Sequence, residues 1–495
     1  MRLRAFGRVM LLGGLALSGC DLAPVYTPPK FILPESYQGS GPFQVARPDT
    51  VLTPDGDWWT LFGDPELNTL EEALTRENPN LQSAMEQYTQ ARDLAAEVQS
   101  QLYPQIGTDY QLSDNRQSVN RLFRGSAAAS PNVQGSNEIV GTASWEPDFW
   151  DQIRNHAHEQ KRLAQASAAD LATARLSLQA ELASDYLGLR GLDRVLEVLK
   201  QSIVAYGKTV EVAQLRYHGG IASQLDLARA QNQLAVAQAQ ETETALQRDL
   251  LQHAVAVLVG EVPSSFSIPP LNTIQATLAQ LPADVPSALL ERRPDIASAE
   301  RRMAAANASI GVSRAAFYPH VTFFGSAGYQ DTGFNLISLP NTLWSIGSDV
   351  MLPLFEGGLR RAELQRSWSR YAQTRDNYRA TVLSAFQEVE DGLSLTRRLK
   401  DEVAQQHEAS DQAEQALSIS TTLYEAGLDN YLSVSVAQVA ALLARTSEVQ
   451  VQIRQMQASV SLIRALGGGW NVHGLPDEKQ TLPFGPLDYG HIKPE

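Results

Sequence analysis

The sequence predicts a mainly α chain that also builds part of a membrane β-barrel. Three observations carry this: two long stretches without proline, an internal duplication, and four short segments of alternating polarity. The chain has 25 prolines, yet none lies between Pro147 and Pro263 and none between Pro353 and Pro476. Proline breaks a helix by removing a donor and clashing with the preceding turn, so its absence over such lengths marks two long helical regions. In the first, Leu182, Leu189, Leu196, Ile203, Val210 and Tyr217 recur every seven residues, with Leu192, Leu199, Tyr206 and Ala213 three places after the middle members. This is an a/d coiled-coil seam. One helix from about Arg154 to Tyr217 would be roughly 100 Å long, which makes the molecule elongated.

Sliding the chain against itself gives the duplication. Asn78-Pro79-Asn80-Leu81 recurs as Arg293-Pro294-Asp295-Ile296, and Tyr103-Pro104 as Tyr318-Pro319, both 215 residues later. Tyr217, Gly220, Leu225, Gln231 and Gly260 recur as Tyr424, Gly427, Leu432, Gln438 and Gly467, now 207 residues later. The first copy therefore has a longer loop, most of it before Pro147. The organisation expected is a signal peptide with lipobox over 1–19, an extended periplasmic segment over 20–65, and a first repeat over 66–262. A linker over 263–280, a second repeat over 281–467 and a periplasmic tail over 468–495 follow. Each repeat holds a helix, a β-hairpin (about 104–146 and about 319–352), a long helix (to 217 and to 424) and a return helix (221–260 and 428–466).

The hairpins rest on period-two alternation. Ile106, Thr108, Tyr110 and Leu112 share one face, as do Ile139, Gly141, Ala143 and Trp145. Val321, Phe323, Gly325, Ala327 and Tyr329, then Trp344, Ile346, Ser348, Val350 and Leu352, repeat the pattern. Segments of about ten residues with one apolar face and polar loops fit a transmembrane barrel wall. The alternative is a pair of hairpins in a soluble sheet. Four strands cannot close a barrel alone, since the smallest have about eight, so several chains share one. Two chains give eight strands and three give twelve, and only the wider ring leaves an open lumen.

At the N-terminus, Arg2, Arg4 and Arg8 precede an apolar run from Val9 to Leu17, the order of a secretory signal. That run is too short for a permanent span, and it ends in Leu17-Ser18-Gly19-Cys20, which resembles a lipobox. Cys20, the only cysteine, is then the acylated residue, and no disulfide forms within the chain. Asp21 directly after it resembles an inner-membrane retention signal of some bacteria. No later stretch of eighteen apolar residues follows. The net charge of −15 argues against a nucleic-acid partner. His156-Ala157-His158 lacks a further ligand at metal spacing and reads as a solvated helix face. With no phosphate-binding glycine loop and no Ser-His-Asp or paired-carboxylate setting, the sequence predicts no enzyme activity, no cofactor and no metal.

Five motifs carry a family resemblance over nearly the whole mature chain: Trp58-Trp59 with Phe62 and Asp64-Pro65-Glu66-Leu67; Arg293-Pro294-Asp295-Ile296 with Ala299-Glu300; Phe317-Tyr318-Pro319; Pro353-Leu354-Phe355-Glu356-Gly357-Gly358; and Ala465-Leu466-Gly467-Gly468-Gly469-Trp470. The sequence resembles the TolC-like outer-membrane factors, in particular their lipoprotein (NodT-type) branch. The resemblance implies a homotrimer in the outer membrane, with a twelve-strand barrel on a long coiled-coil α-helical barrel. It also implies two protein partners, a periplasmic adaptor and an inner-membrane pump of the resistance-nodulation-division class, and a passive channel for small molecules.

The resemblance places a gate at the tips where Tyr217-His218-Gly219-Gly220 and Tyr424-Glu425-Ala426-Gly427 break the helices into antiparallel pairs. Glycine is expected at such breaks. Tyr424, Gly427, Asp429 and Leu432 are the implied gate residues: Leu432 an apolar ring, Asp429 or Tyr424 a hydrogen-bonding latch. Against that stand Leu432 as coiled-coil packing and Asp429 as a helix cap. Many relatives carry an acidic residue where this chain has Val436. Tyr217, Gly220 and Asp226 are expected at the first tip and in adaptor contacts, with Asp226 bridging helices. Two other readings stand beside the efflux channel: a protein-secretion channel, and a non-pore coiled-coil scaffold lipoprotein, which would not need one amphipathic hairpin in each half.

Overall fold

The structure is a computed structural model that describes residues 21–29, 31, 56–116, 133–271, 289–333, 335–485 and 488. The signal segment, Cys20 and most of the extended segment lie outside the described residues, as does half of the linker, 272–280. Two short helices open the first half, α1 (Pro65–Glu77) and α2 (Pro79–Ser100), each with proline in its first turn, where the missing N–H costs nothing. Strands β1 (Gln105–Arg116) and β2 (Val133–Trp145) follow, then α3 (Gln152–His218) and α4 (Gln224–Leu258). The second half runs α5 (Pro294–Ala315), β3 (His320–Asp331), β4 (Thr342–Met351), α6 (Leu359–Glu425) and α7 (Tyr431–Ala465). The paired helices match residue for residue in length: 22 for α2 and α5, 67 for α3 and α6, 35 for α4 and α7. At 67 residues α3 is about 100 Å long. No helix among the described residues is long and apolar enough to cross a membrane.

The residues that revealed the duplication meet each other. Each return helix ends head-on against the short helix of its own copy. Asn78 donates to the Leu258 carbonyl at 2.7 Å and Arg293 to the Ala465 carbonyl at 3.0 Å, so each satisfies a helix C-terminus that has no intrahelical partner. Gly260 and Gly467 turn the chain away at φ 78° and 94°. A Cβ at Gly467 would meet the Arg292 carbonyl oxygen at 2.0 Å, so this joint is closed to any other residue.

Helix α3 is the hub: α1, α2, α4, α5 and α7 all pack on it, and α6 packs on α5 and α7. The main core lies midway along the bundle, where Trp58, Phe62, Leu67 and Leu74 bury against Leu182, Tyr186 and Leu189 of α3 and Ile463 of α7. A buried polar chain crosses it. Asp64 caps α1 and accepts from the Tyr186 hydroxyl at 2.9 Å, Arg190 donates to the Tyr186 oxygen at 3.0 Å, and Asp193 takes Arg190 at 3.2 Å and Arg248 at 2.5 Å. The same two arginines donate to the carbonyls of Pro269 and Ile268, fastening the start of the inter-repeat linker.

The four strands form one antiparallel sheet in the order β1-β2-β3-β4. Its register aligns Ile106 with Ala143, Ala143 with Gly325 and Gly325 with Ile346. Because side chains alternate, this register puts every apolar row read from the sequence on one face. The other face carries Gln105, Asp109, Thr142, Ser144, Thr322, Ser326 and Ser345, so the sheet has the two-sided character of a barrel wall. Strands β1 and β4 each have one neighbour among the described residues, leaving two open edges.

An N-terminal strap climbs α5 toward the base of this sheet. Phe31 packs on Tyr378 with ring centroids 5.5 Å apart, and the Tyr26 hydroxyl donates to Glu300 at 2.6 Å. Asn307 then donates to the Pro24 carbonyl, Arg314 to the Leu22 carbonyl, and Asn155 to the Asp21 carboxylate at 3.1 Å. Gly311 makes room for this path, since a Cβ there would lie 2.7 Å from the Asn155 amide and 2.9 Å from Ala23.

Candidate functional site at the helix tips

The two hairpin tips sit side by side at the end of the bundle away from the sheet. At the first, α3 stops at His218 and Gly220 takes φ 70°, with its N–H bonded to the Tyr217 carbonyl. Ser223 and Asp226 then form a full capping box for α4: the Asp226 N–H donates to the Ser223 hydroxyl oxygen, and that hydroxyl and the Ser223 N–H both donate to the Asp226 carboxylate. Asp226, expected in contacts between helices, makes its hydrogen bonds among the described residues within its own helix start and lies near Tyr431 of α7. The reason is its N3 position, where an acidic side chain folds back on orphan N–H groups.

At the second tip Gly427 takes φ 75° and its N–H bonds the Tyr424 carbonyl. The cap of α7 is Asn430, which accepts the Ser433 N–H at 3.4 Å. Asp429, read as cap or latch, is not the cap; its carboxylate accepts the N–H of Asn430 at 2.7 Å. Tyr424 packs between the two tips. It is 5% exposed, edge-on to Tyr431 at 5.7 Å, and its hydroxyl has no hydrogen-bond partner among the described residues. A ring in that position holds the two tips together, and its hydroxyl latches nothing within the chain.

The contact between tips rests on a residue that the sequence reading missed. Arg216 places its guanidinium 4.3 Å over the Tyr424 ring and donates to the Glu425 carbonyl at 3.0 Å. A basic residue one place before Tyr217, in the last turn of α3, was the available signal. Below it, Tyr431, Val434, Ala213 and Ala230 form a small buried cluster. Burial first, then the nearby Tyr424, Tyr206 and Asp226, pushes the Tyr431 hydroxyl up to about 12, so it stays a neutral donor. Tyr217 is left partly exposed beside His218.

Leu432 points away from this cluster. It is 49% exposed, and Leu428, Val436, Val439 and Leu443, at helical spacing of three and four, are exposed beside it. Within one chain Leu432 is therefore no part of the coiled-coil packing. The corresponding positions of the first copy, in the turn and along α4, are Ile221, Leu225, Arg229, Asn232 and Val236, so only the second copy presents an unbroken apolar row. Among the described residues no group of three or more His, Cys, Asp or Glu is placed to hold a metal ion.

Comparison with known proteins agrees with this architecture. The family described as outer membrane efflux protein matches residues 70–261 and 285–468. The outer membrane protein OprJ of Pseudomonas aeruginosa is 30% identical over 479 residues, 95% of this chain and 97% of that protein. The pyoverdine export outer membrane protein OpmQ of Pseudomonas putida is 31% identical over 428 residues, 84% of this chain and 89% of its own length. The crystal structure of the outer membrane protein VceC from Vibrio cholerae superposes with a TM-score of 0.77 at 28% identity, covering 85% of this chain and all of that one. The chain belongs to the outer membrane efflux protein family and is an outer-membrane channel component of an efflux system.

Proposed function

We propose that the chain works as a homotrimer whose three four-stranded sheets close one twelve-strand barrel. It is anchored by acyl chains on Cys20 and passively conducts small molecules delivered by a periplasmic adaptor and an inner-membrane pump of the resistance-nodulation-division class. The observation that carries this reading is the sheet: apolar on one face, polar on the other, with two open edges. Open edges in a hydrocarbon layer cost several kcal/mol per unpaired backbone group, which further copies of the chain remove. The pyoverdine exporter among the relatives supports a small organic cargo. The adaptor is assigned to the grooves beside Tyr217, Gly220 and Asp226. Native mass spectrometry of protein extracted from outer membranes tests the assembly: a trimer with acyl mass on every chain is expected, and a monomer or dimer sinks it.

The gate is assigned to the second tip, with Gly427 as its bend, Tyr424 and Asp429 as its supports and Leu432 as the apolar constriction. An apolar ring at a narrow point stops ions by dewetting, and the unbroken row from Leu428 to Leu443 supports such a seal. Leu432→Ala should raise single-channel conductance and sensitivity to large antibiotics in a normally assembled protein. Unchanged conductance in that protein would remove Leu432 from the gate.

A further inference from the structure

The apolar face of the sheet is not flat. Its centre is paved by Gly141 and Ala143 of β2 and Gly325 and Ala327 of β3, which face each other in register. Around them stand tall side chains: Ile106 of β1 on one side, Ile346 and Trp344 of β4 on the other, the stacked Trp145 and Phe323 toward the base and Ile139 and Tyr329 away from it, with Ile106 and Ile346 each 83% exposed. Together they border a shallow, open furrow of about 370 Å³ with an almost wholly apolar lining. Bulkier residues would fit its floor: a Cβ on Gly141 or Gly325 would meet its nearest neighbour at an ordinary 3.6 Å. Packing of the sheet therefore does not require glycine at these two positions.

The strap ends on the same side of the molecule. Its contacts on α5, at Glu300, Asn307, Gly311 and Arg314, form one row. Val312, which lines a cavity with Ser144 and Thr322 of the polar face, lies roughly 130° round the helix from the centre of that row. The strap thus runs on a different flank of α5 from the one that faces this cavity, and its last described residue, Asp21, is held by Asn155 in the first turn of α3. Arg314, which holds Leu22, lies one residue from the end of α5, next to the base of β3. From His320 to Gly325 the rise is about 17 Å at about 3.3 Å per residue, comparable to the half-thickness of a hydrocarbon core of about 30 Å.

We propose that the furrow over Gly141, Ala143, Gly325 and Ala327 is the docking site for an acyl chain carried by Cys20, an inference that rests on the lipid-anchor reading above. A polymethylene chain needs no polar partner and fills a narrow trench better than any branched side chain. Bulk lipid tails are as apolar as the trench, so burial alone does not select the occupant. The tether selects it, by holding one chain permanently at the foot of β3. Docked there, the anchor becomes part of the barrel wall and fixes the height of the sheet in the membrane.

The test places the photocrosslinker benzoylphenylalanine at Ile346, on the exposed rim, in the full-length protein in its own membrane. Digestion and mass spectrometry should find this residue joined to the acylated peptide that contains Cys20. Gly325→Leu and, separately, Ala143→Leu displace about two methylenes of bound chain and should cut that product about tenfold, with acyl mass on Cys20 unchanged. Crosslinks to free phospholipid alone, on a protein whose Cys20 is acylated, would overturn the docking and leave the anchor standing. Crosslinks that both leucine variants leave intact would overturn it too. Absence of acyl mass on Cys20 would overturn the anchor reading and the docking together.

Discussion

Replacing Asp193 by alanine is expected to cost about 3–5 kcal/mol, because it strands two buried arginines at once. Asp193 is 4% exposed and binds Arg190 and Arg248 through separate oxygens, while its Oδ2 also accepts the Leu271 N–H. Among the described residues neither arginine has a replacement anion as a hydrogen-bond partner: both turn to linker carbonyls and neutral oxygens. Loss of the carboxylate therefore destabilises α3, α4 and the linker together. The guanidinium unfolding midpoint of the purified protein should fall, and hydrogen exchange over residues 261–271 should accelerate by orders of magnitude. A variant within about 0.5 kcal/mol of the parent, the range of an ordinary surface change, would show that the network is dispensable.

Replacing Glu71 by leucine is expected to do the opposite and stabilise the chain by about 1–3 kcal/mol at neutral pH. Glu71 is 0% exposed beside the main core, and neither carboxylate oxygen has a hydrogen-bond partner among the described residues. Burial alone raises its pKa well above the ordinary 4.5. The folded state thus keeps a proton that the unfolded chain releases as pH rises through 4.5, so this group lowers stability with increasing pH until its raised folded value is passed. Asp185, pushed up to about 6 by burial and by Glu181, adds a slope of the same sign, so the difference between parent and variant isolates Glu71. Thermal unfolding from pH 4 to pH 8 should show a falling parent curve and a flatter variant curve. Parallel curves would mean that Glu71 carries no proton in the folded protein.

The contrast between these residues marks what the sequence discloses. Long helices were legible because proline is absent over regions that the structure fills with α3, α4, α6 and α7. The strand faces were legible because parity survives any tertiary context: the rows beginning at Ile106, Ile139, Val321 and Trp344 all fall on one face. Glu71 was legible only in part. It stands on the stripe of Leu67, Leu70 and Leu74, but beside Glu72 it reads as one of two solvated charges, and only packing shows which one is enclosed. The tips are legible as breaks through their glycines, but the packing of Tyr424 is not, because its neighbours Arg216, Ala213 and Ala230 come from the other copy. Asp193 offered no signal, since its partners come from α3, α4 and the linker, up to 78 residues away in the chain.

The two tips hold the same turn by different means. The box of Ser223 and Asp226 closes three hydrogen bonds over the start of α4, whereas the cap of α7, Asn430, accepts one long bond from the Ser433 N–H. The start of α7 leans instead on the buried side chains of Tyr431 and Val434. One joint is pinned by polar chemistry and the other is seated by packing, so two copies of one fold divide between them two ways of ending a long rod.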